Sequence, residues 1–266
     1  MALSEAVILA AGLSTRLRKI TRELPKQALK LLGAPLIAYP VACLYAAGVR
    51  KFHVVVNPIT AKYISDIFST LDLKYDTVVN DTPGKGNGYS FILGLSLLES
   101  KYAFLSMSDH IFHPHIPFRL LEVDKEYDLL VGVDSSPRLV SLEEATKVYV
   151  SPEGRVLDIG KNIEKYTHVD IGLFVVSRNI EEECLKYARQ EKKVELSSLI
   201  RYISNIYRVY AKDVEGLPWI DVDTPEDLKK ATSRAEFLLS KVIECIPEIF
   251  CKKFKESKSA YIVSLS

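Results

Sequence analysis

The stretch Ala6-Val-Ile-Leu-Ala-Ala-Gly-Leu-Ser-Thr-Arg16, followed nine residues later by Pro25-Lys26, decides how the rest of the chain is read. Ala6 to Ala10 is a short apolar run of the kind that forms a buried strand. It leads into Ala11, Gly12, Ser14 and Thr15, whose small side chains leave the backbone open to another molecule. A loop at the carboxyl end of a parallel strand is where open α/β sheets bind ligands, and its free N–H groups suit phosphate oxygens. Arg16 and Lys26 add two positive charges beside it. The spacing alone fits both a phosphate site and an ordinary strand-to-helix loop with two solvated basic residues.

Two neighbouring motifs are excluded. A dinucleotide-binding turn needs G-x-G-x-x-G, and only Gly12 follows this strand. A P-loop needs Gly-Lys before Ser or Thr, whereas Gly84-Lys85 precedes Gly86 and Gly160-Lys161 precedes Asn162. With 266 residues, 48% of them hydrophobic, the chain has enough apolar material for a large α/β core. A net charge of +1 gives no general attraction to nucleic acid or anionic lipid, so phosphate binding has to be local. Cys43, Cys184, Cys245 and Cys251 are scattered without a C-x-x-C pair, which predicts a reduced, cytoplasmic protein. Pro35 to Val49 is shorter than the roughly 20 residues of a membrane span, and Pro40 interrupts it, so no span is expected.

Along the chain the pattern alternates. Pro35 is expected to open a helix ending near Gly48. Strands are expected at 52–56, 74–79, 102–107 and 128–133, with helices at 60–70 and 87–98. This order predicts a Rossmann-like, mostly parallel sheet with helices on both faces. From about residue 135 the rhythm shortens to strands at 147–150, 155–159 and 170–176, which predict a small antiparallel sheet forming a wall over the main sheet's edge. Helices at 179–190 and 196–204 and a strand at 207–211 lead to Trp219-Ile-Asp-Val-Asp223. Thr224 and Pro225 then form an N-cap and first helical position, with Asp227 closing the capping box. The expected division is a domain over 1–232 and an extension over 233–266, an amphipathic helix that packs on the domain or on the second subunit of a homodimer. Lys252, Lys253, Lys255 and Lys258 near its end also fit a membrane-surface helix.

Asp109 and Asp221 end strand-like segments beside the first loop, and carboxylates so placed suit Mg²⁺, which takes one or two of them together with substrate phosphates. An aspartate ending a strand is also a common turn former. His110, His113 and His115 could be taken for a zinc cluster, but no second ligand group with metal spacing accompanies them.

The pattern L-A-A-G-x-x-x-R…P-K resembles the signature of the sugar-phosphate nucleotidyltransferases, and residues 4 to 231 follow that family's order of motifs. The resemblance implies that Leu9, Ala10, Ala11 and Gly12 hold the base and ribose. It implies further that Arg16 contacts the triphosphate, that Lys26 bridges the reacting phosphates, and that the turn with Asn87, Gly88 and Ser90 helps select the base. Asp109 and Asp221 would hold Mg²⁺, Lys161 would grip the acceptor, and Asp170 with Gly172 would line the acceptor pocket. Gly-Asn-Gly-Tyr-Ser, Met-Ser-Asp-His and Trp-Ile-Asp-Val-Asp-Thr-Pro-Glu-Asp-Leu resemble most closely the inositol-1-phosphate cytidylyltransferases, often fused to a membrane-embedded phosphotransferase. The sequence contains no stretch apolar enough for such a domain, and its lysine-rich end does not resemble the usual junction.

The implied reaction joins CTP, or another NTP, to a phosphorylated polyol or sugar with release of pyrophosphate. Other acceptors and bases (a uridylyl-, thymidylyl- or guanylyltransferase) stay open, as does a non-catalytic nucleotide-sugar-binding subunit, although such a subunit has no need of Arg16, Lys26, Asp109 and Asp221 together. A glycosyltransferase is disfavoured because Ser108-Asp109-His110 lacks the first acid of Asp-x-Asp.

Overall fold

The computed structural model describes residues 3–14, 16–17, 21, 24–71, 73–233 and 236–244. The strands are β1 (Glu5–Leu9), β2 (Lys30–Leu31), β3 (Ala34–Pro35), β4 (Lys51–Val56), β5 (Lys74–Val79), β6 (Tyr102–Met107), β7 (His110–Phe112), β8 (Leu129–Asp134), β9 (Lys147–Val150), β10 (Val156–Gly160), β11 (His168–Ser177), β12 (Val209–Asp213) and β13 (Trp219–Asp221). The helices are α1 (Ala38–Ala46), α2 (Thr60–Phe68), α3 (Asn87–Leu95), α4 (Ile116–Leu120), α5 (Glu181–Gln190), α6 (Leu196–Ser204), α7 (Pro225–Ser233) and α8 (Glu236–Glu244).

Nine strands form one mixed sheet in the order β10-β9-β11-β6-β1-β4-β5, with β8 on β11 and β12 on β8. The pairs β1–β4, β1–β6, β4–β5 and β8–β12 are parallel, while β11 runs antiparallel to β6, β8 and β9. The antiparallel ribbon β9–β10 is joined to the main sheet where His168 and Val169 pair with Val148 and Lys147. A separate two-stranded sheet pairs β7 with β13.

Side-chain alternation divides the core as period 2 requires. Ala6, Ile8 and Ala10 face one layer with α1, α2 and Phe104, and Val7, Leu9 and Ala11 face the other with Phe91, Leu95, Cys184 and Leu199 of α3, α5 and α6. Burying each large apolar side chain contributes about 1.5–3 kcal/mol, so a sheet covered on both faces is a rigid base for loops. Leu238 and Val242 of α8 enter the first of these layers. The lysine cluster at 252–258 lies outside the described residues.

Pro35 does not open the first helix. Leu32 and Gly33 have φ of 47° and 86° and turn the chain back, so Pro35 pairs with Lys30 in a short hairpin and α1 starts at Ala38. The capping box forms as expected: Thr224 N–H donates to Asp227 Oδ2 at 2.9 Å and Asp227 N–H to Thr224 Oγ at 3.2 Å.

The topology brings distant segments to one edge. The carboxyl ends of β1, β4 and β6 open there, and β11, running the other way, begins beside the end of β6 because Leu173 pairs with Ser106. Asp170 and Gly172 therefore arrive next to Ser108-Asp109. The β11–β8 register shifts between Asp170 and Phe174, a bulge of the kind that re-aims side chains at rims.

Candidate active site

The first loop is braced by polar contacts rather than by packing. Ser14, at φ 54°, accepts through Oγ from the Lys26 N–H at 3.1 Å, which ties the turn to Pro25-Lys26. Asn57 Nδ2 donates to the Ala11 carbonyl at 2.8 Å, and Gln27 Nε2 reaches the Ala10 carbonyl at 3.4 Å. Leu9, Ala11 and Gly12 border a cavity of about 190 Å³ together with Lys26, Gln27, Asn87, Ser90, Met107, Asp109 and Asp223. Ala10 is fully buried behind this wall and supports it from within. Sequence reasoning missed Gln27 and Asn57. Gln27 is 1% exposed, and its buried Oε1 has no hydrogen-bond partner among the described residues.

Lys26 stands at the centre. Its ammonium is paired with Asp109 and with Asp223, and Arg16 is paired with Asp223 and, at 3.1 Å, with Glu144. Burial disfavours the Lys26 charge, but the two carboxylates outweigh it and raise the pKa above the usual lysine range. Burial likewise works against the Asp109 charge, while Lys26 and the His110 hydrogen bond hold its carboxyl well below the usual range. The metal pair expected from the sequence is Asp109 with Asp221; the acid that reaches Lys26 and Arg16 is Asp223. The Val222 N–H donates to the Asp109 carbonyl at 3.0 Å and places the following residue there.

Asp221 lies on the β7–β13 ribbon directly opposite His110 and lines a second, larger cavity of about 800 Å³ with Asp109, Asp170, Gly172, Lys161, Thr146 and Trp219. Burial, with the nearby Asp223, Asp109 and Asp227 charges, raises its pKa despite His110. Burial pushes Asp170 up to about 6, against the Gly172 N–H that donates to its Oδ1 at 2.8 Å. Burial opposes charge on His110, but the Asp109 hydrogen bond and the charges of Asp109, Asp221 and Asp170 push it up to about 9. Lys161 is exposed at the rim. Asn87, Met107, Asp109 and Asp223 border both cavities, so Lys26 sits at their seam.

The second glycine-rich turn is built differently from what the sequence suggested. The Gly88 N–H donates to the Val194 carbonyl at 2.8 Å, and Asn87 Oδ1 accepts from the Leu196 N–H at 2.8 Å. A Cβ on Gly88 would lie 2.7 Å from the Val194 oxygen. These groups make room for, and cap, the segment entering α6, and Asn87 also borders both cavities. Ser90 is buried, accepts from Asn80 Nδ2 at 2.9 Å, and still borders the smaller cavity.

The donor set at the seam consists of carboxylate oxygens, which fits a hard divalent cation. Among the described residues no three His, Cys, Asp or Glu side chains form a ready-made metal cage.

The profile of the MobA-like NTP transferase domain matches residues 6–197. The "bifunctional IPC transferase and DIPP synthase" of Aquifex aeolicus is 35% identical over 226 residues, covering 85% of this chain and 50% of that protein. Its Archaeoglobus fulgidus counterpart is 34% identical over 232 residues, covering 86% of this chain and 43% of that one. The chain thus spans about half the length of these relatives. The solved structure of the inositol-1-phosphate CTP transferase from T. maritima superposes with a TM-score of 0.86 at 29% identity, covering 93% of this chain and 99% of that one. With the profile match over most of its length, the chain belongs to the MobA-like NTP transferase family of nucleotidyltransferases.

Proposed function

We propose that this chain transfers a cytidylyl group from CTP to a phosphorylated polyol, inositol 1-phosphate above all, and releases pyrophosphate. The observation that carries the reading is the Lys26 ammonium, held by acids from two distant segments at the seam of two cavities. The relatives' names supply the base and acceptor. An oxygen of the acceptor's phosphate attacks the α-phosphorus in line, a new P–O bond forms, and the bond to the β-phosphate oxygen breaks, its electrons leaving with pyrophosphate. A phosphate dianion is already nucleophilic, so no general base is needed. Alignment of the two reactants can supply about 7–11 kcal/mol, far more than the roughly 0.3–1 kcal/mol of a helix dipole, which makes charge placement and orientation the protein's task.

In this reading Leu9, Ala11 and Gly12, backed by Ala10, cradle the nucleoside with Ser90. Arg16 leaves Glu144 for the triphosphate, and Lys26 bridges the reacting phosphates. Asp109, with Asp221 or Asp223, would hold Mg²⁺, which when bound neutralises phosphate charge. Lys161 meets the acceptor's phosphate, and Asp170 beside Gly172 accepts from its hydroxyls. The buried Cys184 thiol fits a reducing, cytoplasmic setting. The test is pyrophosphate release from CTP, UTP, dTTP and GTP, each paired with inositol 1-phosphate, glucose 1-phosphate, phosphocholine and 2-aminoethylphosphonate. CTP with inositol 1-phosphate should lead. A different best pair would overturn the substrate assignment, and no release from any pair would overturn the reaction.

A further inference from the structure

His110 opens β7, and three neighbours hold its ring. Its Nδ1–H donates to Asp109 Oδ1 at 2.8 Å. The Trp219 ring lies parallel to it, 5° apart in plane and 6.1 Å between centroids. The ladder accounts for this: Trp219 opposes Phe112 and Asp221 opposes His110, so Trp219 is the diagonal neighbour of His110 on one face of the ribbon. The third neighbour is the backbone of Gly172, where a Cβ would fall 2.4 Å from His110 Cδ2 and 2.6 Å from Nε2. Gly172 also has φ +70°, which favours glycine, so two independent constraints leave that side clear for the imidazole.

The remaining oxygen of Asp109 is paired with the Lys26 ammonium. A carboxylate rotates in a broad, two-fold well about its last bond. With one oxygen on an imidazole and the other on an ammonium, that rotation is stopped. Lys26 in turn stands between Asp109 and Asp223, so the direction of its ammonium depends on how Asp109 is turned.

We propose that His110 is a positioning residue for nucleotidyl transfer: clamped between Trp219 and the bare backbone of Gly172, its Nδ1–H fixes the Asp109 carboxylate and thereby aims Lys26 at the reacting phosphates. This role rests on the reading of Lys26 as the group that serves the transfer. It differs from that of a histidine that merely fills space, because only one ring nitrogen matters. An asparagine amide can take the place of Nδ1, whereas a glutamine amide reaches the place of Nε2.

The test uses the full chain, with kcat and both KM values measured for the nucleotide and acceptor that the wild type turns over, and folding checked by circular dichroism. His110→Ala and His110→Gln should each lower kcat by about tenfold or more, the scale of a lost hydrogen bond to a charged group, with the KM for nucleotide moving less than about threefold. His110→Asn should recover most of that kcat. Gly172→Ala, which leaves His110 and Asp109 in the chain but drives the ring away, should lower kcat as His110→Ala does. Equal kcat in the Asn and Gln variants, or a His110→Ala kcat within about twofold of wild type, would overturn the proposal. If His110→Ala does not fold, the Asn, Gln and Gly172→Ala variants decide. If the wild type turns over no substrate pair, the functional reading fails by itself, and ¹⁵N-resolved spectra test the contact directly. A downfield His110 Nδ1–H resonance that disappears in Asp109→Asn supports the clamp; its absence from the wild type refutes it.

Discussion

Asp170→Asn should make the protein more stable at pH 8 while impairing acceptor binding. Burial pushes the Asp170 carboxyl from 3.8 to about 6. At 1.36 kcal/mol per unit that rise is worth about 3 kcal/mol once the group is ionised in both states. The carboxylate opens on the larger cavity, so screening by solvent reduces this to about 1–3 kcal/mol. The folded protein keeps the proton up to about pH 6, whereas an unfolded aspartate releases it near 3.8. Wild type therefore loses stability as the pH climbs between those two values, and the loss is complete above them. Asparagine removes that slope and still accepts from the Gly172 N–H, now at 2.8 Å from Oδ1. Thermal melts of both proteins from pH 4 to pH 8 should coincide at the acid end and separate by roughly 3–10 °C at the alkaline end. The acceptor KM should rise about tenfold through the lost charge-assisted hydrogen bond. Equal melting temperatures at pH 8, or a variant less stable there, would refute the idea that this carboxylate is held at the expense of stability for binding.

Three further outcomes follow from the same contacts. Lys26→Ala should lower kcat by about 10²–10³-fold, the loss seen when one preorganised donor at a charged transition state is removed, as checked by pyrophosphate release at saturating substrates. Glu144→Gln should lower the KM for nucleotide about two- to fivefold with little change in kcat, because Arg16 no longer has to leave an exposed partner, itself worth only about 0–1 kcal/mol; a higher KM would contradict this. Gly88→Ala should destabilise the chain by about 1–3 kcal/mol through overpacking against the Val194 carbonyl, read as a lower urea midpoint with unchanged slope.

How far the sequence carried the reading can be judged residue by residue. The apolar run Ala6–Ala10, the small residues after it, and the alternation of strands and helices are local periodicities, and they foretold β1, its open turn and the parallel half of the sheet. The Thr224 cap was legible because its own neighbours define that boundary, whereas spacing alone left Lys26 and Asp109 open to an ordinary-loop reading and their roles came from the family resemblance. Tertiary structure alone decided which acid meets Lys26. Asp221 and Asp223 are two residues apart in equally suitable surroundings, and the choice depends on β13 pairing with β7 and on the Val222 N–H reaching the Asp109 carbonyl. Likewise the glycines at 86 and 88 mark a close approach, but that the approaching chain includes Val194–Glu195 is a contact across more than a hundred residues. Local pattern encodes which element a segment becomes; which side chains converge is set by long-range pairing and packing, whose partners no short window of sequence contains.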